Sequence, residues 1–170
     1  MDFIRQGENV AVVVGYAIFW DARNHWVHST KTGRKWIDVY PAEAIELRPR
    51  VECRLGHGGA LLGSTSIGNL RVSKDDRGLA VELALFDVYR HLLPRIWPTS
   101  AGPLGDSPFF YRGWSVRGLA MFDHEWPFRE CALLEVLSVD LAKTPALKTS
   151  IATGWRPASL FESELRELEV

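Results

Sequence analysis

The chain has 170 residues, of which 46% are hydrophobic and 24% charged, with a formal net charge of −1. That is enough apolar material for the core of one domain, and the near-neutral balance gives no electrostatic reason to expect a nucleic-acid or anionic-membrane partner. No apolar run approaches the roughly 18 residues of a membrane span, and the segment from Met1 to Glu8 lacks the basic-then-apolar order of a signal peptide. Cys53 and Cys131, the two cysteines of the chain, fall in apolar-patterned stretches and read as buried thiols of a cytosolic protein, not as a disulfide framework.

Taken in order, Asn9 to Trp20 is β-branched and aromatic almost throughout and predicts a strand, with Gly15 marking a bulge or bend. Asp21 to Arg34 is polar and reads as a loop; His25 and His28 within it lack a third metal ligand and read as solvated. Lys35 to Tyr40 predicts a short strand, and Pro41 to Leu47 one or two helical turns opened by proline and stopped by Pro49. Val51 to Leu55 alternates, with Val51, Cys53 and Leu55 on one face. His57 follows among Gly56, Gly58 and Gly59.

Gly68 to Lys74 and Leu79 to Phe86 predict two strands joined by Asp75 to Gly78, where Gly78 supplies a positive φ. Leu79, Val81, Leu83 and Leu85 form the inward face. Asp87 to Trp97 predicts a helix capped by Asp87 and limited by Pro94, with Val88, Leu92 and Ile96 on one stripe and His91 as a structural or solvated residue. Pro98 to Pro108 is a loop. Phe109 to Phe122 and Phe128 to Asp140 predict a strand pair turning at Asp123 to Pro127. Leu141 to Pro157 reads as irregular, and Ala158 to Val170 as a C-terminal helix with Phe161, Leu165 and Leu168 in a stripe. The expectation is a mainly β, α+β domain spanning residues 1–170: an antiparallel β-barrel of about seven strands over residues 9–146, with peripheral helices.

The chemistry centres on Ser115, in Tyr111-Arg-Gly-Trp-Ser-Val-Arg-Gly118. A serine hydroxyl needs a base to become a nucleophile, and that base needs an acceptor to fix its tautomer. His57 is the candidate base. Glu135, in the next strand, and His124, nine positions after the serine, are the candidates for the third role. Arg117, on the same strand face as Ser115, and the backbone N–H groups around Val116 are candidates to hold an oxyanion. No Gly-x-Ser-x-Gly elbow is present.

The succession of motifs resembles the prohead maturation proteases of tailed phages, which share a fold with the herpesvirus assembly proteases. The residues that carry the resemblance are Val14-Gly-Tyr-Ala-Ile-Phe19, Leu55-Gly-His-Gly58, Asp76-Arg-Gly-Leu-Ala-Val-Glu82, Gly113-Trp-Ser-Val116 and Leu134-Glu-Val-Leu-Ser-Val-Asp-Leu-Ala-Lys-Thr-Pro-Ala146. Arg117 stands where the phage family often has glycine, and the adjacent arginine pair of the herpesvirus oxyanion site has no counterpart. The resemblance implies a herpesvirus-protease-like fold and a serine endopeptidase with Ser115 as nucleophile and His57 as base, Glu135 being the preferred orienter. It further implies a scaffolding or major capsid protein as substrate, self-cleavage, no cofactor or metal, and action in the host cytoplasm inside the assembling procapsid. A homodimer or higher homo-oligomer through the C-terminal helix is an accompanying expectation. Two other readings compete: a non-catalytic β-barrel that binds assembly partners, with Ser115 and His57 apart, and a serine hydrolase of small substrates.

Overall fold

The computed structural model describes residues 9–21, 26–28, 35–96, 111–125, 128–143 and 152–157. The fold is mainly β. Its strands are β1 (Asn9–Phe19), β2 (Trp26–His28), β3 (Lys35–Val39), β4 (Ile45–Arg54), β5 (Leu61–Ser64), β6 (Leu70–Lys74), β7 (Gly78–Phe86), β8 (Gly113–Glu125), β9 (Phe128–Ala142) and β10 (Ala152–Pro157). They form two sheets, one ordered β10-β1-β7-β6 and the other β2-β3-β9-β4-β5 with β8 paired to β9. Among the described residues no strand pairing closes the two sheets into a barrel, and β9 runs parallel to both β3 and β4. The expected all-antiparallel barrel is therefore replaced by two sheets, one of them mixed.

One core joins the sheets. Val13, Ala17 and Ile18 of β1 and Leu79, Val81, Leu83 and Leu85 of β7 meet Ile45, Val51 and Cys53 of β4 and Val136, Val139 and Leu141 of β9. The period-2 pattern of β7 predicts this face correctly, since its four inward residues are all at most 1% exposed. The register of β1 against β10 shifts between Val13 and Gly15, in line with the irregularity that Gly15 marks.

Several elements depart from expectation for identifiable reasons. Pro41 precedes only a 310 turn, Ala42–Ala44, and the chain extends from Ile45 straight through Pro49. Proline has no N–H to give the ladder, and the pairing of β4 with β9 shifts between Leu47 and Glu52. The segment Asp87–Arg95 is a 310 helix capped by Phe86 without a side-chain bond, and Asp87 instead pairs with Arg90. With three residues per turn, Tyr89 and Leu92 share a face while Val88 turns outward and is 72% exposed. Gly78 has no positive φ; a side chain there would strike the Ile18 carbonyl, with a Cβ 2.0 Å from its oxygen. The strands β2, β5 and β10 were not expected, being short or lying in polar surroundings. The predicted C-terminal helix and His25 lie outside the described residues.

Candidate active site

β8 and β9 form a long antiparallel hairpin in which Ser115 stands directly opposite Asp140, and Arg117 opposite Ser138. Two residues apart on each strand, these four side chains share one face. The other face carries Trp114, Val139 and Leu141 into the core. Serine and aspartate are thus brought together by register alone.

The third participant comes from the loop after β4. Leu55 N–H donates to the Ala60 carbonyl, closing a tight turn, and Gly56 N–H donates to Leu141 at 2.8 Å, which pins the turn to the end of β9. Gly56 adopts φ +65°, and a Cβ at Gly59 would lie 1.9 Å from the Leu55 carbonyl oxygen. Both positions need glycine: one for its backbone, the other for the close approach. The turn holds His57 over the hairpin.

Ser115 Oγ lies 3.0 Å from His57 Nε2, and His57 Nδ1 lies 2.6 Å from Asp140 Oδ2. A carboxylate only accepts, so Nδ1 carries the ring proton and Nε2 presents its lone pair to the serine hydroxyl. Asp140 is fully buried. Its Oδ1 accepts the Arg54 backbone N–H at 2.9 Å, and its Oδ2 also accepts the Ser138 hydroxyl at 3.0 Å. A buried charge survives when its oxygens are occupied in this way. Arg117 Nε in turn donates to Ser138 Oγ at 3.2 Å. The polar chain therefore runs Arg117, Ser138, Asp140, His57, Ser115.

Beneath it, burial first and then the neighbouring Asp140 charge push the Cys53 thiol far above its ordinary pKa, so it stays protonated. His57 is half exposed while its carboxylate partner is not, so the imidazole sits at the boundary between the solvent and a dry interior. That arrangement suits a base that must reach a substrate.

Glu135 is not at this site. Its carboxylate accepts from Arg48 at 2.8 Å on the exposed side of the β4–β9 pair. The residue that orients His57 is Asp140. His124 is also excluded: nine positions along the strand correspond to about 30 Å at the usual rise, and its backbone pairs with Arg129 near the turn. Val116 lies on the cavity side of β8, and the Arg117 Nε is engaged by Ser138. Among the described residues, no cluster of three or more His, Cys, Asp or Glu is placed to hold a metal ion.

Asp140 escaped the sequence reading because of two extra residues. A regular hairpin turning between Glu125 and Phe128 would set Ser138 opposite Ser115. Extra residues at Ala132 and Leu137 of β9, where the register shifts, advance the pairing to Asp140. Bulges of this kind leave little local signature. The available signal was compositional: Asp140 is a lone carboxylate in the apolar run Val136 to Leu141, and such a buried charge needs a partner.

On the side of β8 away from the triad, a cavity of about 240 Å3 follows the strand from Ser115 to Phe122. Asp38 and Arg129, paired across the parallel β3–β9 ladder, line it; Arg129 Nε donates to Asp38 at 2.7 Å and a second guanidinium nitrogen at 2.8 Å. The guanidinium also stacks over the Phe122 ring, 4.5 Å from its centroid.

Compared with protein-family models, with curated proteins and with solved structures, the chain matches none of them.

Proposed function

We propose that the chain is a serine endopeptidase acting through Ser115, His57 and Asp140, and that it belongs with the prohead maturation proteases of tailed phages on a variant of the herpesvirus-protease-like fold. The observation that carries the catalytic reading is the unbroken hydrogen-bonded series from Ser115 Oγ through both ring nitrogens of His57 to the buried Asp140 carboxylate. The family reading is supported by the motif order from Val14 to Ala146, and its substrate would be a scaffolding or major capsid protein inside a procapsid. The non-catalytic alternative expects Ser115 and His57 apart, which a 3.0 Å contact disfavours.

In this mechanism Ser115 Oγ attacks the scissile carbonyl carbon as His57 Nε2 takes the hydroxyl proton. Asp140 keeps the Nδ1–H aligned and stabilises the imidazolium that forms. The tetrahedral oxyanion is held by backbone N–H groups beside Ser115. His57 then returns the proton to the leaving amine, and water, activated by the same nitrogen, hydrolyses the acyl enzyme.

Co-expression with the scaffolding and major capsid proteins of a tailed phage tests the proposal. Wild type is expected to process one of them, while Ser115→Ala leaves it at full length; processing by both would remove Ser115 from the mechanism.

A further inference from the structure

Ser138 is fully buried and stands between two groups of opposite character. A guanidinium only donates and a carboxylate only accepts, so the Ser138 hydroxyl accepts from Arg117 Nε at 3.2 Å and donates to Asp140 Oδ2 at 3.0 Å. The direction of that proton, free to rotate in most serines, is fixed at both ends. Oδ2 is also the oxygen that accepts from His57 Nδ1 at 2.6 Å. Ser138 and His57 therefore compete for one carboxylate oxygen, and a single hydroxyl separates the Arg117 cation from the Asp140 anion. The neighbouring charges are otherwise engaged. Glu52 of β4, which lines the same surface depression as Arg117, is shared between Arg50 at 3.5 Å and Arg54 at 3.2 Å. Arg54 also donates to the Gly59 carbonyl of the histidine turn at 3.3 Å, and the Cys53 thiol beneath stays protonated and neutral. Among the described residues no carboxylate pairs directly with Arg117.

We propose that Ser138 and Arg117 are positioning residues that act through Asp140 to keep His57 a free base towards lower pH, and so set the acid side of the working range. This rests on the serine endopeptidase reading above. A buried carboxylate facing an imidazole alone would hold the imidazolium tightly, and an imidazolium has no lone pair for the Ser115 proton. A second donor on the same oxygen, with a cation behind it, takes up part of the carboxylate charge and favours the neutral ring.

The test follows labelling of Ser115 by ethyl fluorophosphonate, an uncharged probe, across pH, with intact mass as the readout and Ser115→Ala as the unlabelled control. In Ser138→Ala the midpoint of the acid limb should move up by about one pH unit, which makes labelling below it about tenfold slower. Arg117→Met, at an exposed position, should move the midpoint the same way by roughly half a unit. Arg117→Lys keeps the charge and should return it towards wild type. Titration of His57 by NMR, with each substitution placed in Ser115→Ala, should show the same displacements in the absence of any reaction. If a thermal melt shows Ser138→Ala to be unfolded, the two Arg117 variants carry the comparison. Rates lowered by one factor at every pH, with unmoved midpoints, would reduce Ser138 and Arg117 to packing and overturn the proposal while leaving the triad intact. Equal midpoints in Arg117→Lys and Arg117→Met would also overturn it, since the charge would then have no part. Failure of wild type to label at any pH would overturn the endopeptidase reading itself, and this proposal with it.

Discussion

At the scale of single residues, Asp140 and Glu135 make opposite predictions although both are β9 carboxylates. Asp140 is fully buried and committed to His57, Ser138 and the Arg54 backbone. Asp140→Asn keeps the shape but presents an amide where His57 needs an acceptor, so the wrong tautomer is favoured; a loss of about 10⁴-fold in kcat is expected. Glu135 sits in a solvent-facing pair with Arg48, so Glu135→Gln should leave activity unchanged and cost at most about 1 kcal/mol of stability. Single-turnover labelling of Ser115 together with a thermal melt reads both outcomes. A dead Glu135→Gln enzyme would return that residue to the mechanism. Ser138 links this carboxylate to Arg117, which gives Arg117 a supporting place behind the triad through its Nε.

At the scale of elements, the turn from Leu55 to Ala60 decides whether His57 arrives. Gly59→Ala would bring a methyl group to within 1.9 Å of the Leu55 carbonyl oxygen, whereas nothing lies within 4 Å of a Cβ at Gly58. We expect Gly59→Ala to lower kcat by tenfold or more, by roughly the cost of a small displacement of a reacting group. Gly58→Ala should behave as wild type. Kinetics on the pair, with melting temperatures, separates a displaced base from general unfolding. The same element shows what a sequence can disclose. The alternation of Val51, Cys53 and Leu55, the glycines around His57 and the strand character around Ser115 are local, and they were readable. Asp140 was not, because its position depends on where two bulges fall in a partner strand. The 310 geometry of Asp87–Arg95 and the parallel course of β9 beside β3 and β4 were likewise set by tertiary packing, which overrides a local pattern.

At the scale of the whole molecule, the two sheets share a core in which both thiols are sealed, Cys53 and Cys131 being at most 1% exposed. Burial raises the Cys131 thiol from 9.0 to about 11, and Cys53 moves in the same direction. The folded state thus holds protons that the unfolded chain gives up near pH 9. The stability the Cys131 thiol contributes is complete below about pH 9 and is lost as pH rises towards 11. Melting temperature should therefore fall across that window, with a shallower decline in Cys131→Ala. A slope identical to wild type would show that this thiol does not titrate differently on folding. In native protein at pH 8, neither thiol should react with a disulfide reagent on the timescale of minutes, and both should react once denaturant is added.

The triad draws on two kinds of contact. Ser115 and Asp140 lie on adjacent strands of one hairpin, while His57 is 83 positions from its aspartate. Loop closure over so long a stretch is slow compared with zipping a hairpin. During synthesis His57 also emerges before Ser115 and Asp140 do. Half of the candidate site can therefore exist as a hydroxyl beside a carboxylate, and the hydrogen-bonded series is complete only when the glycine turn docks on the end of β9. On the proposed endopeptidase reading, the timing of activity would then be written into contact order, the site being complete only when this long-range contact has formed.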